Sequence, residues 1–394
     1  MARILYVGDA PTIETGFGVV TKNLTTRLAR MGHEIDILGI NSFGNPYDHK
    51  EFPFNIWPTD KGSVENVYGY NKLWWLADKI KPDVIFFLND PWIINSYMER
   101  KPQGFNPLCK FVAYYPTDAA PIMPEWAKVL GGFDAQICYS KYAERVVIES
   151  NEGKRPKNLH QIYHGVDREV FKPLNQSQAR TALGIPLDSF IVGMVARNQP
   201  RKRFDVLMRA FAEFAKDKPK AKLYLHTALN DVGWNIPDIS RQLGLKDKLI
   251  MTSELKTPTD NIPARALNVI YNTFDVNTLI SLGDGFGLPV AESMSTGCAQ
   301  LVSDHSCLKE LVENHGGLTV KTAAWIMNTS GINTWGGLSD EKDLVVKLNQ
   351  LYESEPLRVA LSEQGYKFIS QDCFTWDYAA NKFDRVIKDI FHVL

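Results

Sequence analysis

The sequence predicts an α/β protein with two doubly wound domains. Short apolar runs typical of buried strands alternate with stretches whose apolar residues recur at helical spacing. This alternation begins again after a boundary near Phe171-Lys172-Pro173. The length of 394 residues also suits two domains, since a domain usually has about 100–200 residues. We therefore predict an N-terminal domain over 1–172 and a second domain over 173–375.

The first half opens with a strand, a glycine loop, a helix and a second strand. Arg3–Gly8 is a short apolar run that ends in a turn, as expected for a buried strand. Apolar residues between 19 and 31 then recur at helical spacing, and Gly32 ends this helix before the strand Ile35–Ile40. The other elements predicted in this half are helices at Leu73–Ile80 and Tyr142–Glu149, the latter capped by Ser140, and strands at Val84–Leu88, Phe111–Tyr115 and Ala135–Tyr139.

The second half repeats the pattern of strands and helices. A helix over Leu288–Ser295 begins at a Gly-Leu-Pro turn, because Pro289 suits the first helical turn. The other elements predicted here are a helix at Phe204–Ala215 and strands at Phe190–Ala196, Lys222–His226, Leu249–Thr252, Val276–Ile280 and Gln300–Ser303. Ligands of such folds bind beyond the carboxyl ends of the strands, so two domains that face each other predict one interdomain cleft.

Charge and cysteine usage narrow the class of protein. The net charge is −1, from 44 Lys+Arg and 45 Asp+Glu, which disfavours a strongly basic nucleic-acid-binding protein. The five cysteines include no CxxC pair, so we expect reduced thiols and no zinc site. The apolar run at the start is too short for a signal peptide, and the uncharged stretch 322–339 is rich in Asn, Ser, Thr and Gly. We therefore expect a cytoplasmic protein without a transmembrane segment.

The glycines of Gly16-Phe17-Gly18 lie between the first predicted strand and the first predicted helix. Glycines there let backbone N–H groups approach an anion at the helix N-terminus. The residues that follow do not complete the dinucleotide-binding pattern GxGxxG. Gly16 and Gly18 are therefore either anion-binding positions or the residues of a tight turn.

Four cations lie among the seven residues Arg197–Arg203, directly after the strand predicted at 190–196. A cluster of this kind at the carboxyl end of a buried strand suits a diphosphate. Arginine offers a planar fork of donors, and lysine offers a point charge. The alternative interpretation is a solvated, charged turn.

A glycine-rich turn with two carboxylates, Asp284–Glu292, leads into the helix predicted at Leu288. Asp284 and the backbone N–H groups of the turn are placed to face a ligand. Glu292 lies about one turn into the helix that begins at Leu288. Carboxylates in such a place accept hydrogen bonds from sugar hydroxyls. A surface Asp or a Glu near a helix start is common singly, but this does not explain the whole string.

The string Asp284–Glu292, followed by Ser293–Cys298, resembles the E-G-F-G-L-P-x-x-E-A-M-A-x-G signature of retaining glycosyltransferases of family 4, which have the GT-B fold. Three further segments are similar to motifs of that family: Tyr163–Asp167 with Phe171–Pro173 to its N-G-V-D…F-x-P linker, Arg197 and Lys202 to its R-x4-K pair, and Phe374–Asp377 to the F-S-W start of its last helix. The resemblance extends over nearly the whole chain.

The resemblance implies transfer of a sugar, with retention, from a UDP- or GDP-sugar to an acceptor hydroxyl. It implies two Rossmann-like domains, an acceptor site in the N-terminal one, and a helix over 376–394 that crosses back to it. The chain contains no Asp-x-Asp, the metal-chelating motif of other glycosyltransferases, so no metal or other cofactor is expected.

By the same resemblance, Arg197 and Lys202 bind the donor diphosphate, and Glu292 binds the ribose. The predicted donor-binding set is Gly16, Gly18, Arg197, Lys202, Asp284, Gly285, Phe286, Gly287, Leu288 and Glu292. The residues predicted to act in catalysis are Asp118, Arg197, Lys202 and Asp284.

The chain departs from the family pattern at three places. Asp284 stands where the family usually has Glu; its shorter side chain suits a different sugar, for instance one with altered hydroxyl geometry or a pentose. Many members carry a His-Asp pair beside the reacting sugar, whereas this chain has Tyr115-Pro116-Thr117-Asp118, so only Asp118 corresponds. Tyr115 and Asp118 are the predicted acceptor contacts. The segment 322–339, which contains Trp325 and Trp335, is longer than the usual connection, and its role is open.

The acceptor is the least determined part of the prediction. A saccharide or a small hydroxylated molecule is favoured. The alternative is a hydroxymethylated base of a nucleic acid, as in viral DNA modification, which the net charge does not support. A non-catalytic α/β protein that binds nucleotide-sugars, or a dinucleotide oxidoreductase, is disfavoured by the incomplete glycine pattern and by the set Arg197, Lys202 and Glu292.

Overall fold

The chain forms two compact units. A computed structural model describes residues 1–59, 67–252, 255, 262–328 and 332–392. The first unit comprises Met1–Thr117, Pro121–Gly165 and Cys373–Leu394, and the second comprises Asp118–Ala120 and Val166–Asp372. The segment 118–120 therefore packs in a unit other than the one that its neighbours in the sequence form. The change of unit at 165–166 falls a few residues before the boundary predicted at 172–173.

The first unit is built on a seven-stranded parallel sheet with the order β3-β2-β1-β4-β5-β6-β7. Its strands are β1 Arg3–Asp9, β2 Glu34–Ile40, β3 Asn55–Pro58, β4 Val84–Leu88, β5 Lys110–Tyr115, β6 Ala135–Cys138 and β7 Leu159–Gln161. Every residue of β4 is buried, as expected for a parallel sheet that helices cover on both faces.

Helices connect the strands of this sheet. They are α1 Gly16–Arg30, α2 Tyr70–Ile80, α3 Pro91–Glu99, α4 Pro124–Gly131 and α5 Lys141–Ser150. The predicted N-cap is confirmed at α5, because the hydroxyl of Ser140 accepts a hydrogen bond from the backbone N–H of Ala143 at 3.1 Å.

The second unit is built on a six-stranded parallel sheet with the order β10-β9-β8-β11-β12-β13, and it also contains an antiparallel hairpin, β14-β15. The strands are β8 Phe190–Val195, β9 Ala221–His226, β10 Leu249–Met251, β11 Val276–Leu279, β12 Ala299–Ser303, β13 Gly317–Val320, β14 Thr322–Met327 and β15 Trp335–Ser339. The helices are α6 Gln176–Ala182, α7 Phe204–Phe214, α8 Ile236–Gln242, α9 Ala264–Tyr271, α10 Leu288–Ser295, α11 Ser306–Val312, α12 Glu341–Glu353 and α13 Glu355–Ile369.

The last helix, α14 (Trp376–His392), packs in the first unit. The guanidinium of Arg27 on α1 lies 2.6 Å from the carboxylate of Asp377. Phe383, also on α14, is fully buried and packs edge-on against Tyr114, with 4.7 Å between the ring centroids. The C-terminal end of the chain therefore completes the core of the unit in which the chain begins.

The state of the cysteines and the apolar character of the helices can be compared with what the sequence predicts. All five cysteines are free, and four of them are buried. In the part of the chain that the structure describes, no helix combines the length and the apolar character needed to span a bilayer.

Candidate active site

The strand order of the second sheet creates a switch point between β8 and β11. The chain continues from β8 to β9 on one side and from β11 to β12 on the other side. The two loops that follow these strands therefore diverge and open a crevice at the carboxyl edge of the sheet, where α/β proteins bind ligands. One loop (196–203) carries the cations singled out in the sequence, and the other (280–287) carries Asp284.

Lys202 and Asp284 form a buried ion pair at this crevice. Lys202 Nζ lies 2.6 Å from each carboxylate oxygen of Asp284, and the two side chains are only 7% and 10% exposed. Burial and then the neighbouring Arg201 lower the pKa of Lys202 to about 8, although Asp284 acts in the opposite direction. Burial alone would raise the pKa of Asp284, but Lys202 and Arg201 bring it below its ordinary value. Both members of the pair are therefore charged at neutral pH.

Arg201 extends the pair into a charged cluster of four residues: Asp118, Arg201, Lys202 and Asp284. Arg201 Nη1 lies 3.4 Å from Asp118 Oδ2 and 3.4 Å from Asp284 Oδ1. Burial raises the pKa of Asp118 despite Arg201, and the charge of Asp284 adds to this rise. Two cations thus face two carboxylates. The sequence interpretation gave no role to Arg201, although it belongs to the run of cations.

Asp118 joins the cluster through a close approach between two backbones. A Cβ on Gly283 would lie 1.9 Å from the carbonyl oxygen of Asp118, so only glycine permits this contact. Arg201 Nη1 donates to the Gly283 carbonyl at 2.8 Å, and the Ser281 hydroxyl donates to the same oxygen at 2.8 Å. The backbone around the two carboxylates is therefore fixed from several sides.

The turn after Asp284 leads directly into α10. Gly285 is followed by Phe286, which is buried, and by Gly287, whose φ of +85° lies in the left-handed region that favours glycine. A Cβ on Gly287 would also lie 2.7 Å from Leu308 Cδ2. Leu288 begins the helix, so the positive end of the helix dipole starts four residues after Asp284.

Glu292 is buried on α10, with a relative exposure of 9%. Its Oε2 accepts a hydrogen bond from the hydroxyl of Tyr271, the last residue of α9, at 2.9 Å. Burial holds the pKa of Tyr271 well above its ordinary value, and Glu292 adds to the effect. Tyr271 therefore stays protonated and donates to the carboxylate. No motif in the sequence marks this tyrosine as a partner of Glu292.

Arg197, predicted to bind diphosphate with Lys202, forms a two-pronged pair with Asp231. Its Nε and Nη2 lie 2.8 Å and 3.0 Å from the two carboxylate oxygens. The Arg197 side chain is 53% exposed, whereas that of Asp231 is only 1% exposed. The carboxylate therefore orients the guanidinium from within the protein, and the rest of the guanidinium faces outward. Asp231 was not singled out from the sequence.

Asn198 locks the loop that carries Asp231 (228–235) to the cation loop. It is fully buried, its Nδ2 donates to the carbonyl of Trp234 at 2.8 Å, and its Oδ1 accepts from the N–H of Trp234 at 2.7 Å. A Cβ on Gly233 would lie 2.4 Å from this Oδ1. A cavity of about 500 Å³, lined by residues of the segment 229–237 that include Asp231 and Trp234, opens at this loop.

Gly16, Gly18 and Tyr115 lie in the first unit. Gly16 begins α1, and nothing lies within 4 Å of a Cβ built on it. A Cβ on Gly18 would lie 2.1 Å from the carbonyl oxygen of Ile13, so the tight turn alone requires this glycine. Tyr115 is fully buried on β5, and its hydroxyl donates to Gln136 Oε1 at 2.7 Å. Donor contacts of the glycines and an acceptor contact of Tyr115 stay predictions.

Two family models match the chain. One, described as "Glycosyl transferases group 1", matches residues 175–368, and the other, described as "Glycosyltransferase Family 4", matches residues 15–170. The chain belongs to this family of glycosyltransferases, group 1 or family 4, as the sequence motifs predict.

A D-inositol 3-phosphate glycosyltransferase of Corynebacterium aurimucosum is 25% identical over 250 residues, which are 60% of this chain and 53% of the relative. The chain spans about half or less of the length of the curated relatives it matches. It resembles the solved structure of sucrose-phosphate synthase from Thermosynechococcus elongatus, with a TM-score of 0.78, 17% identity and coverage of 100% of both chains. It also resembles Anabaena HepE in complex with UDP and glucose, with a TM-score of 0.70, 15% identity and coverage of 98% of this chain and 100% of that one. These similarities confirm the predicted GT-B fold.

Proposed function

We propose that the chain is a retaining glycosyltransferase that moves a sugar from a UDP- or GDP-sugar to an acceptor hydroxyl without a metal ion. The observation that carries this proposal is the buried contact between Lys202 and Asp284 at the switch point of the second sheet. The ammonium of Lys202, which would bind the leaving diphosphate, then lies next to the carboxylate of Asp284, which would bind hydroxyls of the sugar. The bond that is cleaved in a nucleotide-sugar joins these two parts of the donor.

The donor phosphates are proposed to bind Lys202, Arg197 and the N-terminal end of α10. These groups supply positive charge that offsets the charge developing on the leaving diphosphate. Asp231 binds the Nε and Nη2 of Arg197, so the Nη1 of this arginine is proposed to donate to a phosphate oxygen. Glu292 is proposed to accept hydrogen bonds from the ribose hydroxyls, with Tyr271 holding the carboxylate in place.

The transferred sugar is proposed to lie against Asp284, with Asp118 close by. In a front-face displacement, the bond from the anomeric carbon to the diphosphate oxygen breaks while the acceptor oxygen bonds to the same face of that carbon. The acceptor proton passes to the departing phosphate oxygen. No protein nucleophile is required, so the contribution of the chain is positioning and electrostatic stabilisation.

Similar proteins support the substrate classes. HepE has been solved with UDP and glucose, which favours a UDP-sugar as donor. The curated relatives are named for D-inositol 3-phosphate, a small polyhydroxylated molecule, which favours a saccharide or small hydroxylated acceptor over a nucleic-acid base. The absence of Asp-x-Asp from the sequence supports metal independence.

A donor screen tests this proposal. Purified protein is mixed with hexose and pentose derivatives of UDP, GDP, ADP and TDP, and both the melting temperature and the release of nucleoside diphosphate are measured, with and without excess EDTA. We expect one nucleotide series to raise the melting temperature and to be hydrolysed slowly in either condition. Lys202→Ala should abolish both effects, whereas Lys220→Ala, which removes a 60% exposed cation of the same unit, should not. Hydrolysis that stops in EDTA and returns with Mn²⁺ would contradict the metal-free mechanism, and no response to any donor would contradict the function.

A further inference from the structure

The segment 322–339, whose role the sequence leaves open, contains the hairpin β14-β15. No charged residue occurs anywhere in it. Three of its large apolar side chains are nevertheless exposed: Trp325 at 56%, Met327 at 47% and Trp335 at 45%. Exposed tryptophans are costly to leave in water, so two of them on one short hairpin indicate a binding surface.

These three side chains share one face of the hairpin. In the antiparallel register, Met327 stands opposite Trp335, and Trp325 stands opposite Gly337. Residues directly opposite each other, and residues two apart along one strand, point to the same side. Trp325, Met327 and Trp335 therefore form one apolar surface, here called the indole face.

Strand β15 of the hairpin is attached to both loops that carry the carboxylates of the charged cluster. The N–H of Trp335 donates to the carbonyl of Ala120 at 2.7 Å, two residues from Asp118. The N–H of Gly337 donates to the carbonyl of Leu282 at 3.2 Å, two residues from Asp284. These two hydrogen bonds hold β15, which carries Trp335, beside the loops of Asp118 and Asp284, and Asp284 is the residue proposed to contact the transferred sugar.

The attachment is close enough to require glycine at two positions. A Cβ on Gly336 would lie 2.4 Å from the carbonyl oxygen of Leu282, and a Cβ on Gly337 would lie 2.6 Å from Nδ1 of His305. The ring of Trp325 meets the buried ring of His305 edge to face, with 5.7 Å between the centroids. The hairpin is therefore packed closely against the loop of Asp284, and the indole of Trp325 contacts the buried ring of His305.

We propose that the indole face is the acceptor platform of the enzyme and that its ligand is a neutral saccharide. The polarised C–H groups of a sugar ring pack on the electron-rich face of an indole. A nucleic-acid acceptor would need cations for its phosphates, and the hairpin has none. This inference rests on the proposed function, because it assumes that a sugar is transferred at Asp284.

Steady-state kinetics of Trp325→Ala and Trp335→Ala test the platform. Acceptor-dependent release of nucleoside diphosphate is measured with the best donor of the screen described above, using methyl α-glucoside, maltose, sucrose and lactose as acceptors. Each variant should raise the KM for the acceptor by about tenfold or more, while nucleoside diphosphate affinity and acceptor-free donor hydrolysis stay within about twofold of wild type. The matched control is Tyr366→Ala, which removes a 43% exposed aromatic of α13 and should change none of these values.

One further variant and one stability measurement complete the experiment. Trp335→Phe, which keeps an aromatic face, should recover most of the acceptor affinity, and a melting curve identifies any variant that fails to fold. The proposal is wrong if the tryptophan variants keep the wild-type KM. It is also wrong if no neutral saccharide accelerates diphosphate release or if duplex DNA does so instead. In each of those cases donor binding and hydrolysis still decide the proposed function separately.

Discussion

Lys202 Nζ contacts both carboxylate oxygens of Asp284 at 2.6 Å, across the switch point between β8 and β11. The two residues are 82 positions apart in the sequence, and only the parallel strand order brings them together. A buried ion pair of this kind is weak evidence for stability, because taking two charges out of water costs about as much as their attraction returns. We infer that the pair is retained for the donor, which offers a diphosphate to the lysine and hydroxyls to the aspartate.

The first prediction concerns pH. Lys202 binds a diphosphate only as an ammonium, and its pKa lies at about 8. Nucleoside diphosphate affinity should therefore change by no more than about twofold between pH 7 and 8 and should fall about tenfold per pH unit at higher pH, with a proton taken up on binding. Isothermal titration calorimetry in buffers of different ionisation enthalpy checks both statements. Lys202→Arg should remove the fall, because arginine keeps its charge in this range. A wild-type affinity that stays flat up to pH 9.5 would exclude Lys202 as the titrating ligand.

The lowered pKa of Lys202 also affects the stability of the fold, which should change with pH in the direction opposite to donor affinity. The unfolded chain holds the Lys202 proton up to its ordinary pKa of about 10.5, so between pH 8 and 10.5 the unfolded state binds more protons than the folded state. The contribution of this residue to the free energy of unfolding should therefore rise with pH across that window, while donor affinity falls. Comparing the unfolding of wild type and Lys202→Met over this range isolates the contribution.

The second prediction concerns the choice of sugar by Asp284. Asp284→Glu restores the longer side chain usual in the family, so it should change the relative rates among sugars that share one nucleotide. Asp284→Asn should reduce turnover far more than nucleoside diphosphate binding, and it should also lower the melting temperature, because it leaves Lys202 without its main partner. Product formation over a panel of hexose and pentose donors measures the ranking. An unchanged ranking in Asp284→Glu would mean that Asp284 serves only the fold of its loop.

The third prediction concerns Glu292 and its partner. Glu292→Gln keeps the shape and loses the charge, so the affinity for free nucleoside diphosphate should fall by about tenfold while the fold survives. Tyr271→Phe removes only the hydroxyl that donates to Oε2, and it should cause a smaller loss in the same direction. Calorimetry with the diphosphates of ribose and deoxyribose nucleosides checks the contact directly. If Glu292→Gln weakens both ligands equally, the carboxylate does not bind the 2′-hydroxyl.

The fourth prediction concerns Asp231, which the structure places behind Arg197. Asp231→Asn keeps an acceptor for the N–H of Val232 but loses the charge that orients the guanidinium. If Asp231 positions Arg197 for the donor, this variant should bind nucleoside diphosphate about three- to tenfold more weakly. In the variant Arg197→Ala, the further change Asp231→Asn should then have little additional effect on affinity. Tighter binding by Asp231→Asn would show instead that Asp231 competes with the donor for Arg197.

The continuous apolar strands could be predicted from sequence because their patterns are strong. Val84–Leu88 is buried along its whole length and was predicted with the bounds that the structure has. The strands that were missed in the first sheet are the two at its edges, Asn55–Pro58 and Leu159–Gln161. Both are short, and neither is a continuous apolar run, so their partner strand rather than their own composition makes them strands.

Some residues of the candidate site could likewise be predicted from the sequence, and others could not. Lys202 and Asp284 could be found because each stands in a local motif, the R-x4-K pair and the glycine-rich turn, that resembles a motif of a known family. Their partners could not, because Arg201, Asp231 and Tyr271 acquire their roles only from contacts across loops, and the contact between Gly283 and Asp118 depends on backbone geometry. The hairpin at 322–339 was visible as an unusually long connection, but its attachment to the two carboxylate loops was not.

The most direct test of the central claim, that the cations after β8 bind the donor diphosphate, is the affinity of the double variant Arg197→Ala, Lys202→Ala for UDP and GDP. Each charge-assisted contact is worth about 1.5–3 kcal/mol, so we predict a loss of about 100-fold or more at pH 7, measured by calorimetry on protein with a cooperative melting transition. The exposed pair Lys216→Ala, Lys220→Ala in the same unit is the matched control and should bind as wild type does. A double variant that folds and keeps the wild-type dissociation constant would contradict the assignment of the site.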